Sequence, residues 1–171
     1  LMAVHPIEER YGTPAMRAVW SEKTRFECVV AVEVALAQAE AAHGMIPAEA
    51  AAEIRRHAQK ASLERAKVIE AGISHDMMAM VKAISEVCGE SARWVHYGAT
   101  SNDILDTATG LQLLRALDLI EQKLHLLLGV LLKRAGETKN LVCIGRTHGQ
   151  HGVPTTYGLR FAIWASEVGR H

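Results

Sequence analysis

The chain has 171 residues, of which 49% are hydrophobic and 22% charged, and its formal net charge is zero. That fits one soluble globular domain or a large piece of one. It excludes a strongly basic nucleic-acid surface by composition, and no apolar run approaches the ~18 residues of a membrane span. Three cysteines, Cys28, Cys88 and Cys143, are too widely spaced for a zinc set and odd in number for a disulfide framework, so a reducing cytoplasm is expected.

Leu1 ahead of Met2 reads as an addition before the natural start, and nothing near it resembles a signal peptide. Pro14 to Trp20 is predicted as a short first helix with proline near its start. Ser21 is placed to cap a longer helix ended by Gly44, with Phe26, Val29, Val30, Val34, Ala37 and Ala41 at helical spacing. Pro47 opens a helix to about His57, and Ser62 caps one ending near Gly72. His75 to Val87 carries Met77, Met80, Val81 and Ile84 on one side and is closed by Gly89; Ser91 to Ala99 is less periodic and includes a loop.

The longest predicted element is Ser101 to Ala135. Leu113, Leu117, Ile120, Leu124, Leu127 and Leu131 step by four and three, a coiled-coil-like seam, and further leucines lie outside it. A helix apolar on more than one side belongs inside a bundle, and a second subunit could supply part of the cover. Leu141 to Gly145 is short and β-prone, residues 145–154 are rich in Gly and His, and Thr156 to His171 reads as an amphipathic helix that stops without a convincing cap, as in part of a longer chain. The fold class is all-α, with an N-terminal helical domain over 1–100 and the start of a central helical bundle over 101–171. Neither GxGxxG nor GxxxxGK[ST] occurs, so the Rossmann and P-loop functions have no support.

Nine histidines are the main chemical signal. His5, His43, His57, His125 and His171 read as solvated or helix-end residues. The other four sit in polar turns: His75 in Ser74-His75-Asp76, His96 in His96-Tyr97-Gly98-Ala99-Thr100-Ser101, and His148 and His151 around Gly149 and Gln150. Loop decoration accounts for such residues about as well as a site does, and turns between apolar helices are where sites are commonly built. His148 and His151 fall short of a metal site, because no HExxH, Cys pair or carboxylate cluster accompanies them. Thr100 and Asp103 match a capping box, and hydroxyls and free N–H groups at that helix start also suit an anion. Arg146-Thr147-His148 sets a fixed cation beside a titratable imidazole, which suits an anionic substrate needing proton transfer.

Four blocks, 9–16, 74–80, 94–103 and 145–151 with Pro154-Thr155, run in an order that resembles the adenylosuccinate lyase family of the fumarase/aspartase superfamily, over almost the whole chain. Blocks one and two, with Tyr97, favour that branch over an argininosuccinate lyase-like enzyme or a cycloisomerase; a non-catalytic helical interaction domain is the alternative from another class. The resemblance implies elimination of fumarate from adenylosuccinate, and from the related imidazole-carboxamide intermediate, in purine biosynthesis. It implies His148 as general acid, His75 assisting, His96 contacting substrate or orienting its neighbours, Thr100 and Ser101 on a succinyl carboxylate, and Arg10 and Tyr11 on the nucleotide phosphate. Ser74, Asp76 and Gln150 fall among the implied substrate-binding positions, Ser74 standing where many members carry Arg or Lys. Neither metal nor other cofactor is implied, and the full-length protein is expected as a cytoplasmic homotetramer. The family's Ser-rich loop with Met and Lys, which carries the general base, is not within these 171 residues. The site is expected from several subunits, with the chain inactive alone.

Overall fold

The computed structural model describes residues 10–171. Leu1, Met2, His5 and Glu9 lie outside the described residues. Packing divides the chain into two compact units, with the division between Ala116 and Leu117. Ile104 and Ala108, from the first turns of the long helix, are buried in the core of the first unit.

In the first unit α1 is Pro14–Val19, capped by the Thr13 hydroxyl on the Met16 N–H. Helix α2 is Glu22–Ala42; Ser21 caps it on the Thr24 N–H, and Gly44 at φ +71° lets the chain leave it. Helix α3 (Ala48–His57) follows Pro47 and ends in a 3-10 turn, Ala58–Lys60. Helices α4 (Leu63–Ile73, capped by Ser62) and α5 (Asp76–Val87) form a hairpin jointed at Ser74-His75. Arg65 clamps that pair by donating to both oxygens of Glu86 at 2.7 and 2.6 Å. A 3-10 segment, Gly89–Trp94, and a turn lead into α6, Ser101–Glu137.

The core of this unit contains Phe26, Val29, Val30, Ile54, Met77, Ile84 and Ile104. Burying one such side chain contributes about 1.5–3 kcal/mol, so this cluster holds the helices that carry the polar turns. Met77, Met80, Val81 and Ile84 of α5 are all buried, as their spacing predicts. On α2 the outcome differs. Val34 and Ala41 are only partly buried, and the charged Glu33 and Glu40 lie in the interior instead. Buried Gln112 of α6 donates to the Val19 carbonyl at 2.8 Å and ties the end of α1 down.

In the second unit the last turns of α6 lead through Thr138 to an antiparallel hairpin, β1 (Val142–Thr147) and β2 (Gln150–Thr156), and then to α7 (Tyr157–Val168). Thr156 caps α7 on the Leu159 N–H. The β-prone stretch at Leu141 is therefore one strand of a pair, set within a chain that is otherwise helical. Along α6, Leu113, Leu117, Ile120 and Leu127 of the seam remain exposed, while Leu131 is buried. No helix among the described residues is long and apolar enough to cross a membrane.

Candidate active site

Three non-glycine residues among the described ones adopt positive φ: Ser74 at 52°, His96 at 62° and His148 at 51°. Left-handed backbone costs an L-residue roughly 1–2 kcal/mol, and such strain gathers at functional sites. Each of the three falls in a segment singled out by the histidine motifs.

Ser74 ends α4 in the left-handed conformation, and its N–H donates to the Glu70 carbonyl at 2.8 Å. The chain reverses there, making His75 the N-cap of α5. His75 Nδ1 accepts the Met78 N–H at 3.2 Å. A neutral imidazole whose Nδ1 accepts must carry its proton on Nε2, so His75 presents an Nε2–H donor away from the helix. That suits polarising a substrate oxygen or nitrogen. Asp76, next in the chain, faces Arg25 of α2 at 3.6 Å.

His96 is held by a different anchor. Its N–H donates to Glu33 Oε2 at 3.0 Å, and its Nδ1 lies 2.7 Å from Glu33 Oε1. Glu33 is 1% exposed. Burial pushes its carboxyl above the ordinary range, while the hydrogen bonds and charge of His96 pull it back. Glu40, two turns on, is 5% exposed, and its Oε2 has no hydrogen-bond partner. Burial first, and then the negative charge of Glu33, push the Glu40 carboxyl up. Sequence reasoning missed both glutamates. The signal was there: residues 26, 30, 33, 37 and 40 step by four and three, placing two carboxylates on the apolar stripe of α2.

Residues 96–100 lead from this anchor to α6. The Thr100 N–H donates to the Asp103 carboxylate at 2.8 Å, which is one half of the expected capping box. Asp103 therefore turns back onto its own helix start, and Ser101 opens the helix. Arg10 and Tyr11 are exposed just before α1, and Gly12 at φ +82° forms the bend between them and the Thr13 cap.

In the second unit Thr147 pairs with Gln150 across a two-residue turn, His148-Gly149, with both central residues at positive φ. That is the primed turn that matches strand twist, and Gly149 takes its second position freely. His148 stands exposed at the tip, with Gln150 beside it. Arg146 Nη2 approaches His151 Nε2 at 3.4 Å on the strands behind. Gly152 and Val153 oppose Gly145 in a bulge, where a Cβ on Gly145 would meet the Val153 carbonyl at 2.8 Å. Arg160 of α7 donates to the Ile144 carbonyl at 3.0 Å and packs over Tyr157, fixing the base of the hairpin.

Each of these loops has its own anchor: Met78 for His75, Glu33 for His96, Asp103 for Thr100, and the strand ladder for His148 and Gln150. Among the described residues no group of three or more His, Cys, Asp or Glu is placed to hold a metal ion. The cysteines are free, and burial pushes the Cys88 thiol up, away from thiolate chemistry.

Comparison with known proteins completes this picture. A family profile described as Lyase matches residues 9–171. The chain belongs to the lyase family. It is 53% identical over 173 residues to adenylosuccinate lyase of Methanocaldococcus jannaschii, covering 99% of this chain and 37% of that protein. It is 54% identical over 170 residues to adenylosuccinate lyase of Archaeoglobus fulgidus, covering 99% and 38%. The crystal structure of a fumarate lyase from Mesorhizobium sp. BNC1 superposes with a TM-score of 0.85 at 35% identity, covering 94% of this chain and 40% of that one. The lyase-family chain thus spans under two-fifths of the length of these two curated relatives. Its helices and its hairpin belong to the lyase fold.

Proposed function

We propose that the protein containing this chain eliminates fumarate from adenylosuccinate, leaving AMP, and acts likewise on the related succinylaminoimidazole carboxamide ribotide. The observation that carries the reading is the coincidence of the three strained residues, Ser74, His96 and His148, with three histidine motifs. The names of the two curated relatives supply the substrate.

In the elimination a base removes a proton from the succinyl carbon beside a carboxylate. The C–N bond breaks, its former neighbours become the double bond of fumarate, and the leaving nitrogen takes a proton. His148 is assigned as the acid that gives that proton. Its exposed place at a hairpin tip lets it reach a bound nucleotide, and an imidazole exchanges protons near neutral pH. His75 offers its Nε2–H to the substrate. Thr100 and Ser101, at the start of α6, take a succinyl carboxylate through their hydroxyls. Arg10 and Tyr11 take the phosphate, for which a guanidinium fork is suited. Ser74, Asp76, His96 and Gln150 line the substrate.

The general base is assigned to a chain segment outside residues 1–171, so this chain alone is expected to be inactive. Residues 1–100 are assigned to an N-terminal domain and 101–171 to the start of a central bundle. The exposed seam on α6 supports assembly of the full-length protein, as a homotetramer, and the free cysteines are in keeping with the cytoplasm. The test is to incubate the full-length protein with adenylosuccinate and measure AMP and fumarate. Equimolar release supports the reading, and absence of both products contradicts it.

A further inference from the structure

Glu33 is a carboxylate inside an apolar core, with both oxygens committed to one residue of a distant loop. Burying an anion there costs free energy that Phe26 and Val30 on the same stripe do not incur. Structural economy alone would place an apolar residue at this position. What the carboxylate supplies is a grip on both the N–H and the ring of His96, whose backbone sits at φ +62°.

The grip also sets the chemistry of the ring. With Glu33 ionised its oxygens only accept, and His96 Nδ1 then carries a proton and donates to Oε1. Nε2 is then the position that accepts a hydrogen bond when the ring is neutral, and donates when it is charged. His75 is the reverse, with Nδ1 accepting and Nε2 donating. On that assignment His75 and His96 are held in opposite tautomers, one by a helix N–H and the other by a buried carboxylate.

We propose that Glu33 is a positioning residue of the active site, holding His96 in its left-handed turn with Nδ1 protonated so that Nε2 faces substrate as an acceptor. This rests on the reading above that residues 96–101 meet the substrate. Glu33 touches no substrate; it acts through His96.

Glu33→Gln separates this role from a merely structural one. The carboxamide oxygen can still accept the His96 N–H, which keeps the turn, while its NH2 donates to Nδ1 and drives the proton to Nε2. In the full-length protein the tautomer is read by heteronuclear NMR of labelled histidine, alongside steady-state kinetics with adenylosuccinate. The expected result is an Nδ1-protonated His96 in the wild type and an Nε2-protonated one in Glu33→Gln. With it should come a melting temperature changed by only a few degrees and a loss of kcat/KM of about tenfold or more. In a His96→Asn background, adding Glu33→Gln should cost no further activity. An Nε2-protonated His96 in the wild type overturns the proposal. So does unchanged kcat/KM in Glu33→Gln, or an equal loss when His96 is already absent. If the full-length protein releases no fumarate, the functional reading fails. The tautomer pair still decides the positioning role: a switch between wild type and variant sustains it, and no switch overturns it.

Discussion

Gly158→Ala should be among the most damaging small substitutions in this chain. A Cβ on Gly158 would lie 2.4 Å from Lys139 Cα, 2.7 Å from the Ala135 carbonyl oxygen and 2.7 Å from Lys139 N. All three are backbone atoms, so no side chain can swing aside. Restoring an ordinary carbon contact of about 3.5 Å requires the start of α7 and the end of α6 to part by roughly 1 Å. That movement breaks the hydrogen bonds from Gly158 N to the Thr138 carbonyl and from Tyr157 N to the Leu141 carbonyl, both 3.0 Å. Overpacking of about 1–3 kcal/mol and two lost hydrogen bonds of about 1 kcal/mol each together give about 3 kcal/mol or more. For a chain of this size that lowers the melting temperature by roughly 6–12 °C. Gly129→Ala is the control: it lies inside α6, and a Cβ there meets nothing within 4 Å. Relief of the glycine penalty should stabilise by about 0.5–1 kcal/mol. Thermal melts of this chain followed by circular dichroism measure both. A Gly158→Ala variant melting with the wild type would refute the close approach of α7 to the end of α6.

Two further outcomes follow from buried and capping groups. Burial raises the Glu40 carboxyl, so the folded chain holds its proton more tightly than the unfolded one. Its contribution to stability is full below the ordinary carboxylate range and is lost as pH rises through the raised folded value. Glu40→Gln should remove that loss, leaving the variant about 1 kcal/mol more stable near neutral pH, with the gap closing in acid; denaturant titrations at several pH values give the answer, and a pH-independent difference counts against the buried carboxylate. His75→Ala should cost about 1 kcal/mol through the lost cap on Met78, whereas His75→Asn keeps the cap and the stability while losing the Nε2–H, so in the full-length protein both variants should lose turnover and only one should lose melting temperature.

Much of the fold was legible because its signals are local. Ser21 and Ser62 lie immediately ahead of the helices they cap, Gly44 supplies a positive φ, and the stripe Met77, Met80, Val81, Ile84 is buried as its spacing requires. The hairpin was half legible. Leu141 to Gly145 has β-prone residues, but β2 contains Gly152 and Pro154, is mostly exposed and shows no alternation to betray it. The histidine motifs were legible as residues and as a family resemblance, but the devices that hold them were not. Glu33 lies 63 positions from His96, and a charge is ordinarily read as solvent-facing. The tautomers assigned to His75 and His96 depend on which group meets each Nδ1, and that pairing is set by the folded arrangement. The exposure of Leu113 and Leu117 likewise depends on what packs there, a question that helical period alone does not answer.

The central claim is that the strained imidazole at the hairpin tip gives a proton to the leaving nitrogen, and His148→Asn in the full-length protein tests it most directly. Asparagine tolerates left-handed backbone, and Asn-Gly is a preferred sequence for this turn, so the hairpin is kept or strengthened while the titratable group is removed. The expected result is a melting temperature equal to or above that of the wild type, together with fumarate release from adenylosuccinate slowed by at least about a hundredfold. Near-wild-type turnover in a well-folded His148→Asn protein would contradict it.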